Sequence, residues 1–250
     1  MKVIATYNLK GGVGKTAAAV NLAFLAYKAG ARTLIWDLDP QGAASFYFKS
    51  PAKIKGGTDK LLGKKREISK IVKATDFDNL DLIPADIQLR NFDTDLHPRK
   101  DADRRIGKLL SQVKNNYDIV FLDCPPSMST VAENVFRTSD RILIPIIPTP
   151  LSIRAYEQVS LFFAQNKLKA SKLLPFFSMV DKRKKLHREL IIDFAKEHHE
   201  LLQTYIPYAS QIEQMGVHQA PVGAFSPNGI GSRAFDALFR ALADRAALPF

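Results

Sequence analysis

The sequence predicts an α/β protein with an open, doubly wound, mostly parallel sheet flanked by helices. Short β-rich runs alternate with longer helical patterns along the chain, an order that implies right-handed β–α–β crossovers. The runs are apolar almost throughout, as in Ile119-Val120-Phe121-Leu122, which suits parallel strands covered on both faces. In such sheets ligands bind beyond the carboxyl ends of the strands. A glycine-rich segment follows the first run at that edge.

The β-rich runs predict strands over 2–7, 33–37, 80–84, 119–123, 141–147 and 175–180. Amphipathic or apolar stretches predict helices over 16–29, 102–115, 130–138, 153–167 and 186–199. A last helix is expected over 232–246, where Phe235, Leu238, Phe239 and Leu242 fall at core-packing helical spacing. Residues 49–65 and 88–100 have too little pattern for an assignment. With 250 residues, 46% of them hydrophobic, the chain is long enough for a sizeable core. No repeat, low-complexity tract or Ser/Pro-rich linker divides it, so one domain over 1–250 is expected.

After the first strand comes Asn8-Leu9-Lys10-Gly11-Gly12-Val13-Gly14-Lys15-Thr16, and then a helix opens. The glycines let the backbone curl so that successive N–H groups converge on phosphate oxygens. The helix start adds unpaired N–H groups and its positive dipole end. Lys15 is placed to neutralise β and γ phosphates, and the Thr16 hydroxyl to ligate Mg²⁺. Two further segments end strands with carboxylates: Asp37-Leu38-Asp39-Pro40-Gln41-Gly42 and Asp123-Cys124-Pro125-Pro126-Ser127. A carboxylate closing an apolar strand, as Asp123 does, is costly to bury without a partner, and Mg²⁺ with its waters is one.

The strict phosphate-loop pattern is not met, because Leu9 stands where its first glycine belongs. The K-G-G-x-G-K-T form with its extra lysine, Lys10, resembles the deviant Walker A motif of the ParA/MinD/nitrogenase-iron-protein superfamily of P-loop ATPases. The resemblance implies that Lys10 reaches across a homodimer formed on ATP to the partner's nucleotide. It implies a cofactor-binding set of Lys10, Gly11, Gly12, Val13, Gly14, Lys15, Thr16 and Ala17. Asp39 would position the attacking water, making Lys10, Lys15 and Asp39 the catalytic set. Thr16, Asp37 and Asp123 would hold Mg²⁺. Asp181 and Pro207 would contact adenine, although Tyr208 stands where relatives carry an arginine. The resemblance also implies slow ATP hydrolysis and a stimulating partner such as a ParB-like adaptor. Without a helix-turn-helix ahead of the loop, the chain resembles the short ParA class.

Lys plus Arg is 36 against 25 Asp plus Glu, a net charge of +11, and a field of that sign favours polyanions. Nonspecific duplex DNA is the expected partner. Its candidate contacts are Lys182, Arg183, Lys184, Lys185 and Arg188 in the densest basic run, with Arg233 and Arg240 on the last helix. The alternative is a MinD-like ATPase positioned on a membrane, which needs an appended basic amphipathic helix. A single cysteine, Cys124, excludes an intrachain disulfide and argues against a shared iron–sulfur cluster. No run approaches the ~18 apolar residues of a spanning helix, so the expectation is a cytoplasmic, nucleoid-associated protein.

Overall fold

The computed structural model describes residues 1–54, 67–91, 94 and 104–249. Among them β1 (Lys2–Thr6) leads to α1 (Lys15–Lys28), β2 (Thr33–Asp37) and a short α2 (Ala43–Tyr47). The edge pair β3 (Lys73–Ala74) and β4 (Leu80–Ile83) precedes α3 (Arg105–Leu110), β5 (Ile119–Asp123) and α4 (Thr130–Thr138). Then come β6 (Arg141–Ile146), α5 (Pro150–Gln165), β7 (Leu173–Val180), α6 (Lys185–Glu197) and β8 (Tyr205–Pro207). Three short helices, α7 (Ser210–Glu213), α8 (Met215–His218) and α9 (Val222–Phe225), lead to α10 (Ile230–Ala246).

The strands form one sheet in the order β3-β4-β2-β5-β1-β6-β7-β8. Every pairing is parallel except that of β3 with β4. Successive residues of each inner strand feed opposite layers, as the two-residue repeat of a strand demands. Val3, Ala5, Leu34, Trp36, Val120 and Leu122 pack under α3, α4, α5 and α6. Ile4, Ile35, Ile119 and Phe121 pack under α1 and α10. The doubly wound, mostly parallel fold expected from the sequence is therefore present. Phe235, Leu238, Phe239 and Leu242 on α10 are buried as their spacing predicts. Truncating Leu238, fully enclosed, to alanine costs about 2–5 kcal/mol.

Several boundaries differ from expectation. The strands predicted to end at 7, 84 and 147 each stop one residue sooner, as the chain turns out of the sheet. Helix α5 starts at Pro150, ahead of the predicted 153, because proline's fixed φ and missing N–H suit the first helical turn. Strand β7 begins at Leu173 despite Pro175; its pairing with β8 starts only at Phe177, so the proline sits beyond that ladder. The helix predicted over 102–115 is α3 followed by a 3-10 turn over Ser111–Val113, and 102–103 lie outside the described residues. Strands β3 and β8, too short to carry a period, were not predicted. Of the unassigned stretches, Ile87–Asn91 is a 3-10 turn.

Candidate functional site

The loop between β1 and α1 is held open from below. Asn8 is buried; its side-chain amide donates to Pro145 O at 2.8 Å, and its Oδ1 accepts from Lys10 N at 2.8 Å. Gly12 and Gly14 take positive φ of 70° and 99°, where a side chain is strained. A Cβ built at Gly11 or Gly12 meets nothing within 4 Å, so the loop faces open space. Gly14 is the left-handed N-cap of α1, and no side chain caps that helix. Its first amides remain available to an anion.

Lys15 is buried to 7% exposure, with Nζ donating to Lys10 O at 3.1 Å. Burial lowers its amine, while the nearby charges of Asp123 and Asp39 oppose that shift. The loop carbonyl thus parks the lysine at the cleft floor, and the acids favour its cationic form against burial.

Asp37 and Asp123 lie beneath the loop, both with no exposed surface. Asp37 Oδ2 accepts from Ser45 N and Ser45 Oγ, both at 2.8 Å, and Oδ1 accepts from Asp39 N at 3.2 Å. Burial nonetheless pushes its carboxyl up to about 6. Asp123 is pushed well above the usual carboxylate range, first by burial and then by Asp37. Its Oδ1 accepts from Thr6 Oγ1 at 3.3 Å. Its Oδ2 is buried without a hydrogen-bond partner of good geometry, although the Thr16 side chain comes near enough to favour the ionised form. An orphaned carboxylate oxygen next to a threonine hydroxyl fits a hydrated divalent cation. Among the described residues, no three His, Cys, Asp or Glu side chains cluster as a metal cage; a Mg²⁺ that keeps waters and phosphate oxygens needs none. Cys124 beside Asp123 is buried and its thiol is pushed up, so it is inert.

Above these groups lies a cleft of about 600 Å³ walled by Gly11, Gly12, Gly14, Lys15, Thr16, Ala17 and Asp39, together with Gln41, Tyr47 and Pro126. A narrower pocket continues from it, lined by Gly14, Ala17, Ser178, Met179, Pro207, Tyr208, Ile212 and Glu213. The structure thus gathers the loop, Thr16, Ala17, Asp39 and Pro207 along one channel, with Asp37 and Asp123 beneath it. Val13 is buried and anchors the loop. Lys10 does not line the cleft of its own chain.

Asp181 stands apart from the channel: its carboxylate takes a forked contact from Arg183, with Nε to Oδ1 and Nη2 to Oδ2 both at 2.9 Å. Ser178 and Met179, earlier on the same strand, occupy the wall instead. The strand-end position beside the loop was the signal for them. Ile212 and Glu213 come from α7, which no sequence pattern announced.

The basic candidates are dispersed into local contacts. Arg188 Nη1 donates to Lys182 O at 2.6 Å, Lys185 reaches Glu189 at 3.5 Å, and Lys182 lies 4.8 Å from the Tyr205 ring centre. Arg240 pairs with Asp236 at 2.9 Å, Arg233 donates to Asn228 O, and Lys184 is exposed. These residues keep their charge at the surface, where ion pairs are weak and exchangeable.

A family model described as an AAA domain matches residues 1–174. The chain is 32% identical over 241 residues to the sporulation initiation inhibitor protein Soj of Bacillus subtilis (strain 168), covering 94% of this chain and 95% of that protein. It is 30% identical over 253 residues to the chromosome-partitioning ATPase Soj of Treponema pallidum (strain Nichols), covering 98% of each. Among solved structures, cobyrinic acid a,c-diamide synthase from Mycobacterium smegmatis, with bound ATP analog and magnesium, superposes with a TM-score of 0.82. That likeness spans 97% of this chain and 94% of the other at 24% identity, which establishes the fold alone. With a loop shaped for phosphates, an acid pair suited to a hydrated cation, and relatives matched end to end, the chain belongs to the ParA/MinD superfamily of P-loop ATPases.

Proposed function

We propose that this chain is a partition or positioning ATPase that closes into a dimer around ATP, holds duplex DNA without regard to sequence, and releases it after slow hydrolysis. The observation that carries the reading is the meeting of the glycine loop, Lys15, Asp39 and the buried Asp37–Asp123 pair at one cleft. The chromosome-partitioning ATPase Soj of Treponema pallidum, matched over 98% of its length, supports the positioning role.

In this reading the loop amides of residues 11–16 and the start of α1 grip the phosphates, and Lys15 balances their charge. Thr16 would hold Mg²⁺, with Asp123 and Asp37 placed to accept from its waters, and the ion would supply charge neutralisation for the phosphates. Asp39, anchored by the Gln41 N–H to its Oδ1 at 2.9 Å, orients the attacking water from the cleft wall. Lys10 does not line its own cleft, which supports a role in the partner's site. Pro207 and the wall from β8 and α7 hold the base. Hydrolysis loosens the dimer by removing the γ-phosphate that both chains grip. A ParB-like or other adaptor would stimulate that step. The basic run Lys182–Arg188, with Arg233 and Arg240, supplies backbone contacts to DNA, which would place the protein in the cytoplasm on the nucleoid.

The membrane alternative finds less support. The apolar face of α10 is used in the core and is not free to lie on a membrane surface. The test is fluorescence anisotropy with random-sequence duplex, comparing no nucleotide, ADP, and ATP with Mg²⁺, for native and Asp39→Ala protein. DNA binding only with ATP, prolonged in the variant and falling steeply with salt, supports the proposal. An ATP-induced dimer that ignores DNA but binds anionic liposomes would replace it with the membrane reading.

A further inference from the structure

The phosphate cleft and the narrower pocket meet at a waist. Gly14, Ala17, Met179, Ile212 and Glu213 line both spaces, and of these only Glu213 has a side chain that forms strong hydrogen bonds. Backbone conformation fixes the waist on two sides. Gly14 caps α1 with a φ of 99°. Met179 also takes a positive φ, 54°, where the register of β7 against β8 shifts between Phe177 and Val180. A methionine held in that conformation is strained, and such strain gathers where a strand end forms a ligand wall.

Glu213 comes from α7 and is exposed. Its carboxylate takes a hydrogen bond from the Tyr208 hydroxyl, which raises that phenol above its ordinary range. The contact ties α7 to the residue that follows β8, and it gives the carboxylate a defined orientation beside the pocket that Tyr208 also lines. A nucleotide with its phosphates on the glycine loop and its base in the narrower pocket must put its sugar at the waist. A carboxylate only accepts hydrogen bonds, so it repels phosphate and suits a hydroxyl donor. Sugar hydroxyls are the donors that a ribonucleotide carries between phosphate and base, and acidic side chains read them in other dinucleotide folds.

We propose that Glu213 selects ribonucleotides over deoxyribonucleotides by accepting a hydrogen bond from a ribose hydroxyl at this waist, with Tyr208 as the positioning residue for its carboxylate. The inference deepens the ATPase reading and rests on it, adding a group for the sugar between those assigned to the phosphates and the base. Because Glu213 is exposed, water competes for its oxygens and the discrimination is modest.

The test measures calorimetric binding of ADP, 2′-deoxy-ADP and 3′-deoxy-ADP, each with Mg²⁺; diphosphates avoid turnover and an ATP-induced dimer. Native protein should bind ADP at least about tenfold more tightly than one of the deoxy forms. Glu213→Ala should lower ADP affinity by that factor without weakening the same deoxy form, so that the preference disappears. Glu213→Gln, which keeps an accepting oxygen, should retain part of the preference. Tyr208→Phe should narrow it while Glu213 remains; an unchanged preference would remove Tyr208 from the positioning role. Melting temperatures equal to native confirm that each variant folds. Equal native affinity for all three nucleotides, or equal weakening of ribo and deoxy forms in Glu213→Ala, would overturn the sugar role and leave the ATPase reading standing. Native protein that bound none of the three would overturn both.

Discussion

Asp37 and Asp123 stand opposite each other in parallel register, where β2 and β5 end beneath the phosphate loop. Neither has exposed surface, so burial raises the cost of ionising both, and Asp37 adds to that cost at Asp123. A magnesium ion above them would remove that cost.

Stability without nucleotide should therefore depend on pH in a direction opposite to that of ordinary salt-bridged acids. Between about pH 4 and 6 the folded chain keeps a proton on Asp37 that the unfolded chain has lost. More protons bound in the native state means that stability falls as pH rises through this window, by on the order of 3 kcal/mol for Asp37. The raised Asp123 continues the loss toward higher pH. Asp118 and Asp181, held at about 2 by Arg32 and Arg183, act with the opposite sign but below that window. Thermal melts of the nucleotide-free protein should show Asp37→Asn flattening the pH 4–6 slope, and Mg-ADP stabilising most at the alkaline end. A slope identical in native and variant protein would remove the acid pair as its cause.

Gly14 is a second pressure point. Its φ of 99° already disfavours any side chain, and an added Cβ would stand 2.8 Å from Ser178 Oγ. Gly14→Ala should cost about 1–3 kcal/mol and displace the first turn of α1. Ser178→Ala in the same chain should recover part of the loss, because it relieves the clash but not the backbone strain. Denaturant unfolding of the two variants checks this; full recovery would mean that the left-handed φ costs nothing.

Lys10 separates binding from dimerisation. Its side chain does not line the cleft of its own chain, while its carbonyl holds Lys15. Lys10→Ala should keep ATP affinity in the monomer within about threefold and abolish the ATP-induced dimer seen by sedimentation velocity. A variant that dimerised normally would leave the trans role without support.

What was legible in the sequence was whatever a local pattern carries. The inner strands are continuous apolar runs because both faces are covered, and their order announced the sheet. The loop was legible because phosphate cradling demands glycine, lysine and threonine at fixed spacing. The carboxylates were legible because Asp37 and Asp123 end such strands. Pairing across the sheet was not: Ser45 holds Asp37, Thr6 reaches Asp123 and Asn8 braces the loop, each through a contact that only the fold creates. The edge strands β3 and β8 are too short for a period to show. At Asp181 a contact with Arg183, two residues on, closes a turn that only the folded chain shows.

That turn sets up a contrast at the base-side pocket. Asp181 has an exposed guanidinium as its only side-chain ion-pair partner among the described residues, and the pocket passes it by. Asp181→Ala should therefore leave ATP affinity within about twofold of native. Ala17, by contrast, lines both the phosphate cleft and the narrower pocket at their junction. Ala17→Leu fills that junction with side-chain volume and should weaken ATP binding by at least about a hundredfold, because the ligand can no longer lie across both spaces. Residue 17 is half-buried on α1, so melting temperature should change little. Fluorescent ATP binding to the two variants decides the matter. Loss of affinity in Asp181→Ala with retention in Ala17→Leu would move the base to the Arg183 side of β7 and away from α7.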